Sequence, residues 1–255
     1  ARWSPEYIFT CRSGSNELSR VSLSTGAVSE FSTGLFNFEG SCEITQVSPT
    51  LLYVTGLSDP MSGDPMNQIC SIDLKRELAV TRKPSMITAR CAHAAVYFEG
   101  YLYAMGGESL SETTNLCERL DLFKNRWEKL PSLPISSCSS SVVACETNRS
   151  LYLFSGSGGN SEVLTCIQRL SLDALHWEVL DVSLPRDWQY VPCFILDAER
   201  IGFLTLTGVH CLNIETGSSD VLQSRPLELL GLCCTSFYSR GMVYLSSAYG
   251  RATSI

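Results

Sequence analysis

The chain has 255 residues, 44% hydrophobic and 18% charged, and its 19 basic against 26 acidic side chains leave a net charge of −7. That balance belongs to a folded protein, and without a Lys/Arg cluster to reverse the charge locally it excludes nucleic acid as a partner. No window reaches the roughly 18 consecutive apolar residues of a spanning helix, since runs such as LELLGLCC are cut by glycine, so no membrane crossing is expected.

Along the chain, a short apolar run carrying an aromatic residue recurs at Ile8-Phe9, Leu52-Tyr53, Leu102-Tyr103, Leu151-Tyr152, Gly202-Phe203 and Val243-Tyr244. Counted on the aromatic residue, the steps are 44, 50, 49, 51 and 41. A period of this size signals a repeat architecture. Alternating strands follow five of these runs, as in LSRVSLS, ICSIDLK, CERLDLF, IQRLSLD and VHCLNIE. Each ends in a polar turn: Ser24-Thr25-Gly26, Lys75-Arg76-Glu77, Lys124-Asn125-Arg126, Ala174-Leu175-His176 and Glu215-Thr216-Gly217. Each unit therefore holds about four short strands. The units run approximately 1–40, 41–89, 90–136, 137–187 and 188–231, with a partial 232–255, in a single domain covering 1–255.

The third unit is the clearest. HAAVYFEGYLYAMGGE, His93 to Glu108, reads as a hairpin with strands 93–98 and 101–105, a Glu99-Gly100 turn and an exit at Gly106-Gly107. Trp127 and Trp177 stand 50 apart, each followed by Glu and then by Leu-Pro, and are read as packing between neighbouring units.

Few residues suggest chemistry. The twelve cysteines form no C-x-x-C pair, and those in VVAC, VPCFIL and VHCLNI read as buried thiols of a reducing, cytoplasmic setting. His93, His176 and His210 occupy dissimilar places in their units, so neither a metal nor a cofactor is expected. SGSGGN, Ser155 to Asn160, lacks the lysine and helix of a phosphate loop and reads as a plain connection. Cys233-Cys234 reads as a strand pair facing opposite ways, and the Asn148-Arg149-Ser150 glycosylation triplet reads as idle.

The third unit resembles the kelch repeat: Arg90, the double glycine Gly106-Gly107, and CERLDLFKNRWEKLPSLP with its spaced Trp127 carry the likeness. It is strong over 88–185, with Ser137 or a neighbour in the fourth unit's arginine position, and loose elsewhere. The resemblance implies an all-β, kelch-type β-propeller of four-stranded antiparallel blades whose chain ends meet in the closing blade. Six blades are favoured, although six units at about 48 residues need roughly 288 residues; the other count is five, with Cys234–Ser239 completing the first blade. The family implies a non-catalytic interaction platform for a protein or peptide, as a substrate adaptor, a cytoskeletal or cilium-associated component, or part of a larger complex. A propeller-type oxidase or glycan-acting enzyme, or a structural subunit of an assembly, is the alternative. Inter-blade connections nominate Arg82, Arg90, Arg186, Asp187, Trp188 and Gln189 as contact residues, with Trp188 as the aromatic anchor.

Overall fold

The computed structural model describes residues 7–11, 16–22, 25, 27–32, 42–59, 61–76, 79–110, 112–185, 193–197, 199–205, 208–223, 234–239, 242–247 and 252–254. Every regular element among them is a strand, and none of them forms a helix long and apolar enough to cross a membrane. A first sheet joins β1 (Tyr7–Cys11), β2 (Glu17–Ser22) and β3 (Val28–Ser32). The next is the meander β4 (Glu43–Ser48), β5 (Leu51–Thr55), β6 (Ile69–Asp73) and β7 (Ala79–Lys83). The third joins β8 (Ala94–Phe98), β9 (Tyr101–Met105), β12 (Cys117–Asp121) and β13 (Arg126–Leu130), with a small hairpin of β10 (Glu108–Ser109) and β11 (Glu112–Thr113) set between β9 and β12. The fourth is β14 (Ser141–Cys145), β15 (Ser150–Phe154), β16 (Cys166–Ser171) and β17 (His176–Ser183), and the fifth is β18 (Cys193–Ile195), β19 (Arg200–Thr205), β20 (Gly208–Asn213) and β21 (Ser219–Gln223). A last sheet joins β22 (Cys234–Ser239), β23 (Met242–Ser247) and β24 (Ala252–Ser254). We number these sheets as blades 1 to 6.

Four complete four-stranded blades are found, not the favoured six, because among the described residues the first unit supplies only its second to fourth strands and the last only its first three. The five-blade alternative fails as well. β22 pairs with β23, from Cys234↔Ser247 to Ser239↔Met242, and does not complete the first sheet. The chain ends therefore lie in two sheets, which meet where β1 packs beside β23, and not in one shared closing blade.

The alternation of each second strand explains the ring. In β5, Leu52 and Val54 pack with Phe9 and Leu18 of blade 1, while Tyr53 between them packs with Leu102 and Trp127 of blade 3. In β9, Leu102 and Ala104 face blade 2, whereas Tyr103 and Met105 join Leu151, Leu153 and Trp177 of blade 4. In β15, Tyr152 and Phe154 turn to blade 5, where Phe154 meets Phe203 edge to face at 5.2 Å. Successive strand side chains point to opposite faces, so a blade with two apolar faces needs a neighbour on each side. The first strands β4, β8, β14, β18 and β22 lie each beside the next, around the axis.

Local chemistry sets the turns. Glu99 (φ 47°) and Gly100 (φ 85°) both take the left-handed conformation that a two-residue hairpin demands. Asp121 Oδ1 accepts the N–H groups of Phe123 and Lys124, and Asn213 Oδ1 those of Glu215 and Thr216, closing the outer turns. At Gly106 and Gly107 the reason is crowding as well as φ. A Cβ on Gly106 would lie 2.3 Å from the Ser137 carbonyl oxygen, and one on Gly107 2.6 Å from that of Cys91.

Candidate functional site

In an antiparallel four-stranded blade, the first and third turns lie at one rim, while the connection from second to third strand and the passage to the next blade lie at the other. The turns at the first rim are tight. The connections at the second are long: residues 56–68, 106–116 and 155–165 within blades 2 to 4, and 84–93 and 131–140 between them. Backbone bonds lace these segments together. Cys91 and Glu108 exchange N–H···O bonds of 3.0 and 2.8 Å, Cys138 and Ser157 exchange two of 2.9 Å, and Ser139 N–H reaches Ala92 O at 2.7 Å.

Under this lacing sits a buried ion pair. Arg90 Nη2 lies 2.8 Å from Glu118 Oε1, while Nη1 donates to the carbonyls of Gly106 (2.7 Å) and Leu116 (2.6 Å). Glu118 also accepts the N–H groups of Ile87 and Thr88, so one pair fixes two connections of the rim. Arg90 was nominated as a contact residue, and the structure corrects that. Its side chain is 0% exposed and spent on this network, out of reach of any partner. In blade 4 the corresponding places hold Ser137 and Gln168, both buried, and Gln168 accepts from Ile135 N–H and donates to Ile135 O. Where the cation is lost, the anion is neutral too.

The other nominees divide. Arg82 is exposed near the end of β7 and lines a shallow cavity of about 230 Å³ with Asn67, Gln68, Ile69, Lys83 and Ser85. Arg186, Asp187, Trp188 and Gln189 lie outside the described residues. Sequence reasoning missed the apolar side chains on the long connections: Met61 is 94% exposed and Leu110 74%, with Ile87, Leu116 and Val163 each exposed by more than two fifths. Their signal was an apolar residue inside an otherwise polar connection, as in SDPMSGD, ESLSET and GGNSEVL. Leu110 holds a left-handed φ of 49°, a strained state for a branched side chain that is pushed into solvent.

Titratable groups here are structural. Burial, with the Arg90 charge, pushes the His93 imidazole down to about 3, so it stays neutral, and its Nε2 meets Thr55 Oγ1 at 2.8 Å. His176 is exposed at a turn of the opposite rim and His210 sits within β20, so the three histidines do not converge. No trio of His, Cys, Asp or Glu among the described residues is placed to hold a metal. In the triplet at 148–150, the Asn148 amide donates to Tyr152 Oη at 2.7 Å and Ser150 is buried. Of Cys233-Cys234, Cys233 lies outside the described residues.

Glu43 begins the inner strand of blade 2, only partly open to solvent, and burial pushes its carboxyl up to about 8 from 4.5. A raised folded-state value means the group favours folding fully below about 4.5, and that contribution is lost as pH rises through about 8. Glu43→Gln is therefore expected to stabilise the protein at pH 8 by about 1–3 kcal/mol, with the gain vanishing near pH 4.5. Urea unfolding at the two pH values measures this; a variant less stable at pH 8 would mean an ionised, well-paired carboxylate.

The rim's most regular blade is also the one that a family model matches. The family model of the Kelch motif matches residues 89–134. A RING finger domain and kelch repeat-containing protein of Dictyostelium discoideum is 27% identical over 123 residues, 47% of this chain and 12% of that protein. Kelch repeat and BTB domain-containing protein 2 of cowpox virus (strain GRI-90 / Grishak) is 26% identical over 91 residues, 36% of this chain and 16% of that protein. The matched stretch is thus under a fifth of either relative's length. Among solved structures, that of YjhT superposes with a TM-score of 0.62 at 11% identity, covering 81% of this chain and 72% of that one, a likeness of fold. With Arg90, the double glycine and Trp127 in their expected places, residues 89–134 carry a Kelch motif.

Proposed function

We propose that the protein is a non-catalytic interaction module that holds a peptide or protein partner on its long-loop rim. The observation that carries this is the gathering of Met61, Ile87, Leu110, Leu116 and Val163, all exposed, on connections of one rim across three consecutive blades. Exposed apolar side chains on loops held by a rigid scaffold are where recognition concentrates. Arg82 and the cavity beside it extend the surface toward the outer corner of blade 2. The relatives' names join kelch repeats to RING and BTB domains, and on that ground we assign an adaptor role. A reducing, cytoplasmic setting suits buried thiols such as Cys70 and Cys117, whose pKa burial pushes up to about 12.

Met61→Asp combined with Leu110→Asn tests the surface. Capture of the protein's bound partner is expected to fall at least about tenfold, as when a buried anchor is lost, while the melting temperature holds or rises. Phe123→Asp, on a 97% exposed side chain of the opposite rim, should leave capture intact. Equal loss from both variants would reject the long-loop rim as the site.

A further inference from the structure

Charge on the same rim names the class of partner. The connections at 56–68, 106–116 and 155–165 carry Asp59, Asp64, Glu108, Glu112 and Glu162. No Lys or Arg occurs in those three segments or in 131–140; 84–93 holds Arg90, which is buried against Glu118, and the buried, neutral His93. Asp59 stays ionised, because its Oδ1 accepts the N–H groups of Met61 and Ser62 and these hold its carboxyl below the usual range. Asp64, Glu112 and Glu162 are exposed. Segments 106–116 and 155–165 are joined directly, since Thr113 Oγ1 reaches the Gly158 carbonyl of the next blade, while 56–68 is linked to 106–116 through 84–93, where Met86 N–H donates to Asn67 O and Cys91 pairs with Glu108. Along these segments the carboxylates alternate with the exposed Met61, Leu110 and Val163.

The opposite rim is arranged otherwise. There Arg149 pairs with both Glu99 and Asp173, Lys124 with Asp121, and Arg200 with Asp197. Charges at that rim are largely cancelled in place, while those at the long-loop rim are left for something else to meet. Among the described residues the basic exception is Arg82 and Lys83, at the outer corner of blade 2, and Lys83 sits over the Tyr53 ring.

Resting on the interaction reading above, we infer that the long-loop rim takes a basic peptide segment whose Lys or Arg residues alternate with bulky apolar ones. Cations meet the interleaved carboxylates and the apolar side chains cover Met61, Leu110 and Val163. An acidic peptide or an anionic membrane surface would meet like charge, and a second copy of this chain, presenting the same acidic face, would be repelled.

The test uses three labelled synthetic peptides and fluorescence anisotropy on the intact chain: Lys/Arg interspersed with Leu and Trp, the same with Glu replacing the bases, and the basic peptide with Ser replacing Leu and Trp. The first is expected to bind and the other two to bind at least about tenfold more weakly. Asp64→Asn with Glu112→Gln and Glu162→Gln should weaken the first peptide about tenfold, an effect that shrinks in ~1 M salt, where the screening length is about 3 Å. A matched triple elsewhere, Glu30→Gln with Glu199→Gln and Glu215→Gln, should change affinity less than about twofold, which separates the rim from net charge. Preference for the acidic peptide, equal effects of the two triples, or rim-dependent self-association by sedimentation would each overturn the inference. If the Met61→Asp/Leu110→Asn protein still loses its bound partner in those cases, the interaction reading stands and only the partner class falls. If that variant changes nothing, the reading of the rim falls with it.

Discussion

Glu118→Gln is expected to cost about 3–5 kcal/mol of folding stability, because it leaves the Arg90 guanidinium charged and unpaired in a site with no access to water. Arg90→Ser should cost a similar amount by the same rule, since it strands the Glu118 carboxylate and removes the donor to the Gly106 and Leu116 carbonyls. Blade 4 supplies the informative control. Its Ser137 and Gln168 occupy the same places without any charge, so the double variant Arg90→Ser/Glu118→Gln recreates a pairing that this fold already tolerates. The double should therefore cost less than the sum of the singles by about 1–3 kcal/mol. Urea unfolding of the four proteins measures the coupling, and strictly additive costs would show that packing, not charge, holds the site. A functional readout follows as well: each single variant frees the connections at 84–93 and 106–116, so it should also weaken partner binding at the rim.

Trp177→Ala is expected to cost about 3–5 kcal/mol, since the indole is buried between blades 3 and 4 beside Tyr103, Leu151 and Leu153. Trp127→Ala should behave alike between blades 2 and 3. Each ring also donates Nε1–H to the carbonyl of a proline in the connection below, Trp127 to Pro84 at 2.8 Å and Trp177 to Pro131 at 3.0 Å. Replacement by Phe keeps most of the apolar area but deletes that donor, and so should cost about 1–2 kcal/mol. In a structure whose stability is a sum over neighbouring units, loss at one interface is expected to broaden thermal unfolding as well as lower its midpoint. A sharp transition at an unchanged temperature would refute the role of the indoles as inter-blade staples. Strand pairing puts Val80 and Ser219 where the indoles stand in blades 3 and 4, so blades 2 and 5 lack this device.

Much of the fold was legible because strands bury alternate residues and blades repeat. The hairpin at 93–105 became β8 and β9, joined by the Glu99-Gly100 turn, and Cys234–Ser239 and Met242–Ser247 became β22 and β23. The site was legible only in outline. Arg82 proved accessible, but Arg90, of the same residue type and also near a connection, proved buried, because its partner Glu118 lies 28 residues away on β12. Met61, Leu110 and Val163 were passed over for the converse reason. In a linear reading, isolated apolar residues in polar loops carry no periodic signal.

What the amino-acid order determined alone was the repeat unit: its length, its turns, its glycine exit and its inter-blade tryptophans. All of these follow from local backbone chemistry and a period-two burial pattern. Only the tertiary structure decided the number of complete blades, the separation of the chain ends into two adjacent sheets, and which side chains face solvent together. Those depend on contacts between residues some fifty positions apart, where the energy of pairing is set by geometry across the ring and not by neighbours along the chain.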